Sequence, residues 1–227
     1  MIPRAFLTSL TVALCIGLLA LAPARAAVDE SIDEGIDYSL VPAPERLEPG
    51  NDVEVVEVFW YGCPHCYHLE PAIEKWLEHK PEGVTFRRMP GAVSPNWVPH
   101  AKAFYAAKML GVLDKFHEPL FKAIHEQKRR IFTDEQIIRF AAEQGIDEDA
   151  FRNAFNSFPV DMQVRKAADL AKHYNIDGVP AMVVDGKYVT SVSQTGSTER
   201  MFDVIDYLVA KEQDGGSKQA QASAGEH

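Results

Sequence analysis

The period of apolar and polar positions changes several times along this chain of 227 residues. An apolar run from Phe6 to Leu21 follows Arg4 and precedes Ala24-Arg25-Ala26. It is shorter than the roughly 20 residues of a spanning helix, and its flanks are those of a cleaved signal peptide over residues 1–26, with the mature chain starting at Ala27. Val28 to Asn51 is polar and proline-rich, an extended arm with a short strand near Tyr38–Leu40. Val53 to Trp60 is apolar almost throughout and predicts the first full strand. Leu69, Ile73, Trp76 and Leu77 then recur at helical spacing, with Pro71 inside the pattern predicting a kink. After Pro81-Glu82-Gly83, Val84 to Met89 predicts a second strand. A β-α-β unit of this length implies parallel strands and a right-handed crossover.

From residue 96 the spacing is helical for some 75 residues. It predicts helices over His100–Leu110, Leu113–His125, from a Thr133/Gln136 capping box to Gly145, from Asp147 through Phe151 and Phe155, and over Asp161–Tyr174. Alternation then returns. Ala181–Val184, Asp185-Gly186 and Lys187–Thr190 predict a hairpin with a type I′ turn. Ser197 or Thr198 caps a last helix carrying Phe202, Ile205, Leu208 and Val209. Gln213–His227, poor in bulky apolar residues, reads as a disordered tail. The order β-α-β, helical block, α-β-β-α is that of an α/β protein with a thioredoxin-like fold and an inserted helical subdomain. Residues 27–95 form the first part of the parent domain, 96–160 the insertion, 161–212 the second part and 213–227 the tail.

Composition bears on compartment and partners. Losing residues 1–26 removes Arg4 and Arg25 and no acid, so the formal charge of −10 becomes −12 on the remaining 201 residues. That length suffices for one core with an insertion, and that charge argues against nucleic acid or an anionic membrane as partner. Of three cysteines, Cys15 leaves with the signal, so Cys63 and Cys66 stand alone. The loop between them is too small for a stabilising staple. An exported chain with one closely spaced pair keeps it for reaction.

Cys63-Pro64-His65-Cys66 lies where the first strand ends and a helical pattern begins, which places Cys63 at a helix N-terminus. Unpaired N–H groups and the helix dipole there favour an anion, and the thiolate is the reactive form of cysteine. His65 adds a nearby donor or cation. Stabilising the thiolate stabilises the reduced dithiol and makes the disulfide a stronger oxidant. Cys66, one turn deeper, is the resolving thiol. The competing readings are an inert disulfide and a metal site built from Cys63, His65, Cys66 and His68. A closed zinc site normally draws on a second, distant ligand pair, and there is no second Cys-x-x-Cys. Pro180, after Gly178-Val179, opens a strand; a cis bond there would turn the N–H and C=O of Val179 toward Cys63, ready to pair with an extended substrate. Glu57 interrupts an apolar strand, where a carboxylate is costly to bury; the plain alternative is a side chain turned to solvent. Trp60, Tyr61 and Tyr67 rim a groove for unfolded chains or simply pack, and Trp97 and Phe104 pack between the two parts of the molecule.

Glu57 to Tyr67 (EVFWYGCPHCY), together with Gly178 to Tyr188 (GVPAMVVDGKY), resembles the DsbA family of periplasmic thiol:disulfide oxidoreductases over essentially the whole mature chain. The Cys-Pro-His-Cys tetrad carries most of the likeness, because thioredoxins and isomerases usually have other central dipeptides. The resemblance implies that Val179-Pro180 is a cis-proline loop. It makes Glu57 a buried acid that shuttles a proton to or from Cys66, with Arg88 as its basic partner and Arg87 competing. It implies a monomeric dithiol oxidase without cofactor or metal, acting in the periplasm of a Gram-negative bacterium. Oxidised Cys63–Cys66 would be donated to unfolded exported proteins through a mixed disulfide at Cys63 and restored by a quinone-linked membrane oxidase of the DsbB type. The alternatives are an isomerase or reductase of the same fold, for which the short segment before the first strand leaves no room for a dimerisation domain, and a non-catalytic metal-binding chaperone.

Overall fold

A computed structural model describes the backbone of residues 32–224 and the side chains of residues 32–215. The expected signal peptide, with Cys15, lies outside the described residues. One sheet holds β1 (Ser39–Leu40), β2 (Val53–Phe59), β3 (Val84–Pro90), β4 (Ala181–Val184) and β5 (Tyr188–Thr190), in the order β1-β5-β4-β2-β3. β2 runs parallel to β3, with Glu57 opposite Arg88, and antiparallel to β4, with Glu57 opposite Met182. Every β2 residue is buried. A strand covered on both faces has no solvent side to mark with alternating polar residues, which explains its near-continuous apolar run.

Helix α1 (Pro64–Leu77) connects β2 to β3 and runs unbroken past Pro71. Between β3 and β4 come α2 (Val98–Met109), α3 (Leu113–His125), α4 (Asp134–Glu143), α5 (Glu148–Phe155) and α6 (Phe158–His173); α7 (Val192–Thr195) and α8 (Thr198–Ala224) follow β5. Two apolar cores result. Val55 and Met182 of the sheet meet Leu69 and Ile73 of α1 and Leu208 of α8. Val56 and Val58 share the other core with Phe116, Phe140 and Phe151 of the inserted helices. The insertion is thus packed directly onto the sheet that carries the cysteines.

Local signals set several boundaries. The Thr133/Gln136 capping box opens α4, and the Asp147 carboxylate accepts from Ala150 N–H at 2.7 Å at the start of α5. Asp185 (φ 50°) and Gly186 (φ 63°) make the hairpin turn with both central residues left-handed. A Cβ on Gly186 would lie 2.1 Å from the Glu45 carbonyl oxygen, so the arm packs against this turn only because glycine is there.

Other boundaries differ from expectation. α6 begins at Phe158 rather than Asp161 and crosses the expected division at 160. Ser157 caps it and Pro159 sits in the first turn, where a missing N–H costs nothing, so Pro159 starts the helix instead of separating two. The one-turn α7 was not expected. Residues 213–224, expected as a disordered tail, continue α8 as helix. Extending an existing helix needs no new nucleus, and Lys, Gln and Ala are good helix formers.

Candidate active site

β2 delivers the chain to a tight turn, where Cys63 N–H donates to the Trp60 carbonyl at 2.9 Å. α1 starts at once, with Cys63 as its N-cap and Pro64 at its first position. No side chain caps the helix and its first turn holds no acid, so its free N–H groups remain available to the Cys63 sulfur. Both thiols are free, Cys63 is almost buried and Cys66 is inaccessible. The Cys63 thiol is held down at about 5, chiefly by the hydrogen bond from the Cys66 thiol, then by the N–H groups of Cys66 and His65 and by the His65 side chain; burial opposes them. Cys66 goes the other way. Burial, its bond to Cys63 and the Glu57 charge push it far above an ordinary thiol. The sequence pair Cys63/Cys66 is therefore one acidic and one very weakly acidic thiol, three residues apart.

The Val179-Pro180 peptide is cis, and the Val179 carbonyl oxygen lies 3.3 Å from the Cys63 sulfur, accepting when that sulfur is a thiol. Pro64, His65 and His68 are exposed. His65, Val179 and Pro180 share a cleft of about 700 Å³ with Leu40, Leu69 and Val192. Among the described residues no three His, Cys, Asp or Glu side chains gather as a metal site.

Glu57 is wholly buried, and register resolves its partner: Arg88, not Arg87, donates to it from Nε at 3.1 Å. The same guanidinium also serves Glu70 and Glu74, each at 2.9 Å. One cation cannot neutralise three carboxylates. Burial and the Glu70 charge outweigh Arg88, and Glu57 is pushed up to about 8. Among the described residues its Oε1 has no hydrogen-bond partner.

The aromatics divide. Tyr61 is fully buried, so the groove-rim reading fails for it: its ring packs edge-on against Phe59 at 5.1 Å. Trp60 stacks on Trp97 at 4.7 Å, and Tyr67 stacks on His125 at 5.1 Å; both are half-buried. Phe104 packs on Phe59 across sheet and insertion.

Four buried or half-buried residues on or around these elements were not singled out in the sequence. Glu54 is buried on the opposite face of β2 and pairs with Arg87. Glu70 joins the Arg88 cluster, and its place one helical turn beyond Cys66 was a readable sign. His117 and His125 of α3 bond to Tyr61. His117 shares a helix face with Phe121 and Ile124, where a polar ring marks a buried partner elsewhere.

A thioredoxin-like sheet that presents two thiols of opposite acidity at a helix N-terminus, against a cis-proline loop, defines a dithiol–disulfide exchange protein. Residues 54–202 match the family described as DSBA-like thioredoxin domain. The chain is 42% identical over 206 residues to the thiol:disulfide interchange protein DsbA of Burkholderia cepacia, covering 90% of this chain and 96% of that one. The crystal structure of Pseudomonas aeruginosa DsbA superposes with a TM-score of 0.78 at 36% identity, over 82% of this chain and 97% of that one. A DsbA of Proteus mirabilis with the non-covalently bound peptide PWATCDS has a TM-score of 0.67 at 28% identity, over 79% and 99%. The chain belongs to the DsbA family: it is a thiol:disulfide oxidoreductase whose chemistry is the donation of disulfides to proteins bearing thiols.

Proposed function

We propose that the oxidised Cys63–Cys66 disulfide is attacked at the Cys63 sulfur by a substrate thiolate. The bond to Cys66 breaks, a substrate–Cys63 mixed disulfide forms, and Cys66 departs with the electron pair. Because Cys66 is a strongly basic thiolate, it takes a proton as it leaves, and Glu57, protonated near neutrality with Oε1 unengaged, is the donor. A second substrate thiolate then attacks the substrate's sulfur of the mixed disulfide. Cys63 leaves as a thiolate that is stable at neutral pH. The substrate has lost two electrons and the enzyme has gained them. His65 and the helix N-terminus stabilise the departing thiolate, and Pro64 starts the helix that supplies those N–H groups.

The observation that carries this reading is the opposed acidity of the two thiols. It makes Cys63 the good leaving group and the reduced enzyme the stable product. The substrate lies extended against Val179 and Pro180 in the adjoining cleft; the Proteus mirabilis complex, whose peptide contains a cysteine, supports a cysteine-bearing chain as the kind of substrate. Export by a cleaved signal over residues 1–26 puts the monomeric protein in the periplasm, and a quinone-linked membrane oxidase of the DsbB type restores its disulfide. Purified oxidised protein should oxidise a reduced, unfolded disulfide protein, and Cys63→Ser should reduce the rate to background. A wild-type rate equal to that of Cys63→Ser rejects the reading.

A further inference from the structure

We propose that Tyr61 is the positioning residue through which α3 of the inserted domain sets the reactivity of Cys63. The inference rests on the role given above to Cys63 and says what holds it in place. Tyr61 lies in the turn that fixes where α1 begins, and that start decides where the His65 and Cys66 N–H groups point. Both ends of Tyr61 are held by one helix. Its carbonyl oxygen accepts from His125 Nε2 at 2.7 Å, and its hydroxyl bonds His117 Nδ1 at 2.8 Å.

The tautomers follow from the partners. A carbonyl only accepts, so His125 Nε2 carries hydrogen. His117 Nε2 faces a Glu70 oxygen at 3.4 Å, and that carboxyl is held below the usual range in part by His117 and Arg88, so Nε2 carries hydrogen there too. His117 is held neutral by burial, which leaves Nδ1 as acceptor and the Tyr61 hydroxyl as donor. Tyr61 is raised well above an ordinary phenol by burial, so it keeps its proton. Each polar group along Tyr61, His117 and Glu70 thereby has one compatible role, and reversing any of them would strand a buried donor.

The grip reaches past the turn. The His125 ring stacks on Tyr67 in the first turn of α1, and the Tyr67 hydroxyl bonds Glu126, next along the chain from His125. The C-terminal end of α3 therefore touches the chain on both sides of Cys63, at the Tyr61 carbonyl before it and at the Tyr67 side chain after it. Inside the turn Gly62 has no room for a side chain, because a Cβ there would meet the Trp60 ring at 2.3 Å.

Three variants test this, read by the equilibrium constant with glutathione and by the Cys63 pKa from thiolate absorbance. His125→Phe keeps a stacking ring and loses the donor; His125→Gln keeps a donor and loses the ring. His125→Phe is expected to make the protein about tenfold less oxidising and to raise the Cys63 pKa by about one unit. His125→Gln should stay within about twofold of wild type, and Tyr61→Phe should shift severalfold in the direction of His125→Phe. A folded His125→Phe with wild-type values overturns the proposal, and so does a His125→Gln shifted as far as His125→Phe, which would assign the effect to ring packing. If His125→Phe does not fold, an unshifted Tyr61→Phe overturns it. Failure of the wild type to oxidise any substrate would instead reject the role of Cys63 itself.

Discussion

Strand β2 buries two glutamates, Glu54 and Glu57, on opposite faces, and each takes an arginine from β3. Their surroundings differ. Glu54 Oε2 accepts from Leu47 N–H at 2.9 Å, and Oε1 accepts from Glu48 N–H at 3.1 Å and Arg87 Nε at 3.0 Å. Both of its oxygens are engaged, and what they hold is the N-terminal arm against the sheet. Glu57 has a third share in one guanidinium and, among the described residues, one oxygen with no partner. Burial of an acid is therefore no sign of chemistry by itself. The number of partners separates a carboxylate used as a fastener from one left ready to exchange a proton.

Three measurements separate the two glutamates. The largest effect concerns pH. Glu57 titrates at about 8 in the fold against an ordinary value of 4.5, so between those values the folded protein holds a proton that the unfolded chain has released. Stability tied to Glu57 is therefore present below pH 4.5 and is lost as pH rises toward 8, by up to roughly 5 kcal/mol. Cys63 gives the opposite slope in the reduced protein, gaining stability from about pH 5 toward 9, so the measurement belongs in a Cys63→Ala background. Denaturant unfolding across this range should show the fall with Glu57 and lose it in Glu57→Gln; equal slopes would put Glu57 in the same class as Glu54.

Next comes Glu54→Ala. Stranding two N–H groups and a guanidinium should cost about 3–5 kcal/mol in urea unfolding, with the oxidation rate per folded molecule unchanged. A lost rate would make Glu54 part of the chemistry. The smallest effect is kinetic. At neutral pH Glu57→Gln cannot supply a proton to departing Cys66, so stopped-flow formation of the mixed disulfide should slow about ten- to hundredfold, equivalent to roughly 1.4–2.7 kcal/mol. Glu54→Gln should leave that rate alone.

What the sequence made legible was whatever residues a few positions apart decide. The Thr133/Gln136 box, the Asp185-Gly186 turn and the limits of α3 are settled by neighbours, and so is the seat of Cys63 at the end of a strand. Choosing Arg88 over Arg87 for Glu57 required the register of β2 on β3, which no short stretch encodes. Glu54 passed unnoticed because its partners come from the arm, and Tyr61 looked like a rim residue because its histidines lie some 60 positions further on. Pro159 misled because proline ends helices and begins them with equal ease.

The central position of β2 also has a consequence in time. Its pairing with β3 closes across α1, about 30 positions on, whereas its pairing with β4 must wait for residues more than 120 positions later. A chain emerging N-terminus first would thus display Cys63 and Cys66 well before Val179, Pro180 and β4 arrive to enclose them. Until the last third is through, neither thiol has the Val179-Pro180 loop or β4 beside it, and the newborn protein is for that interval itself open to oxidation by another disulfide donor.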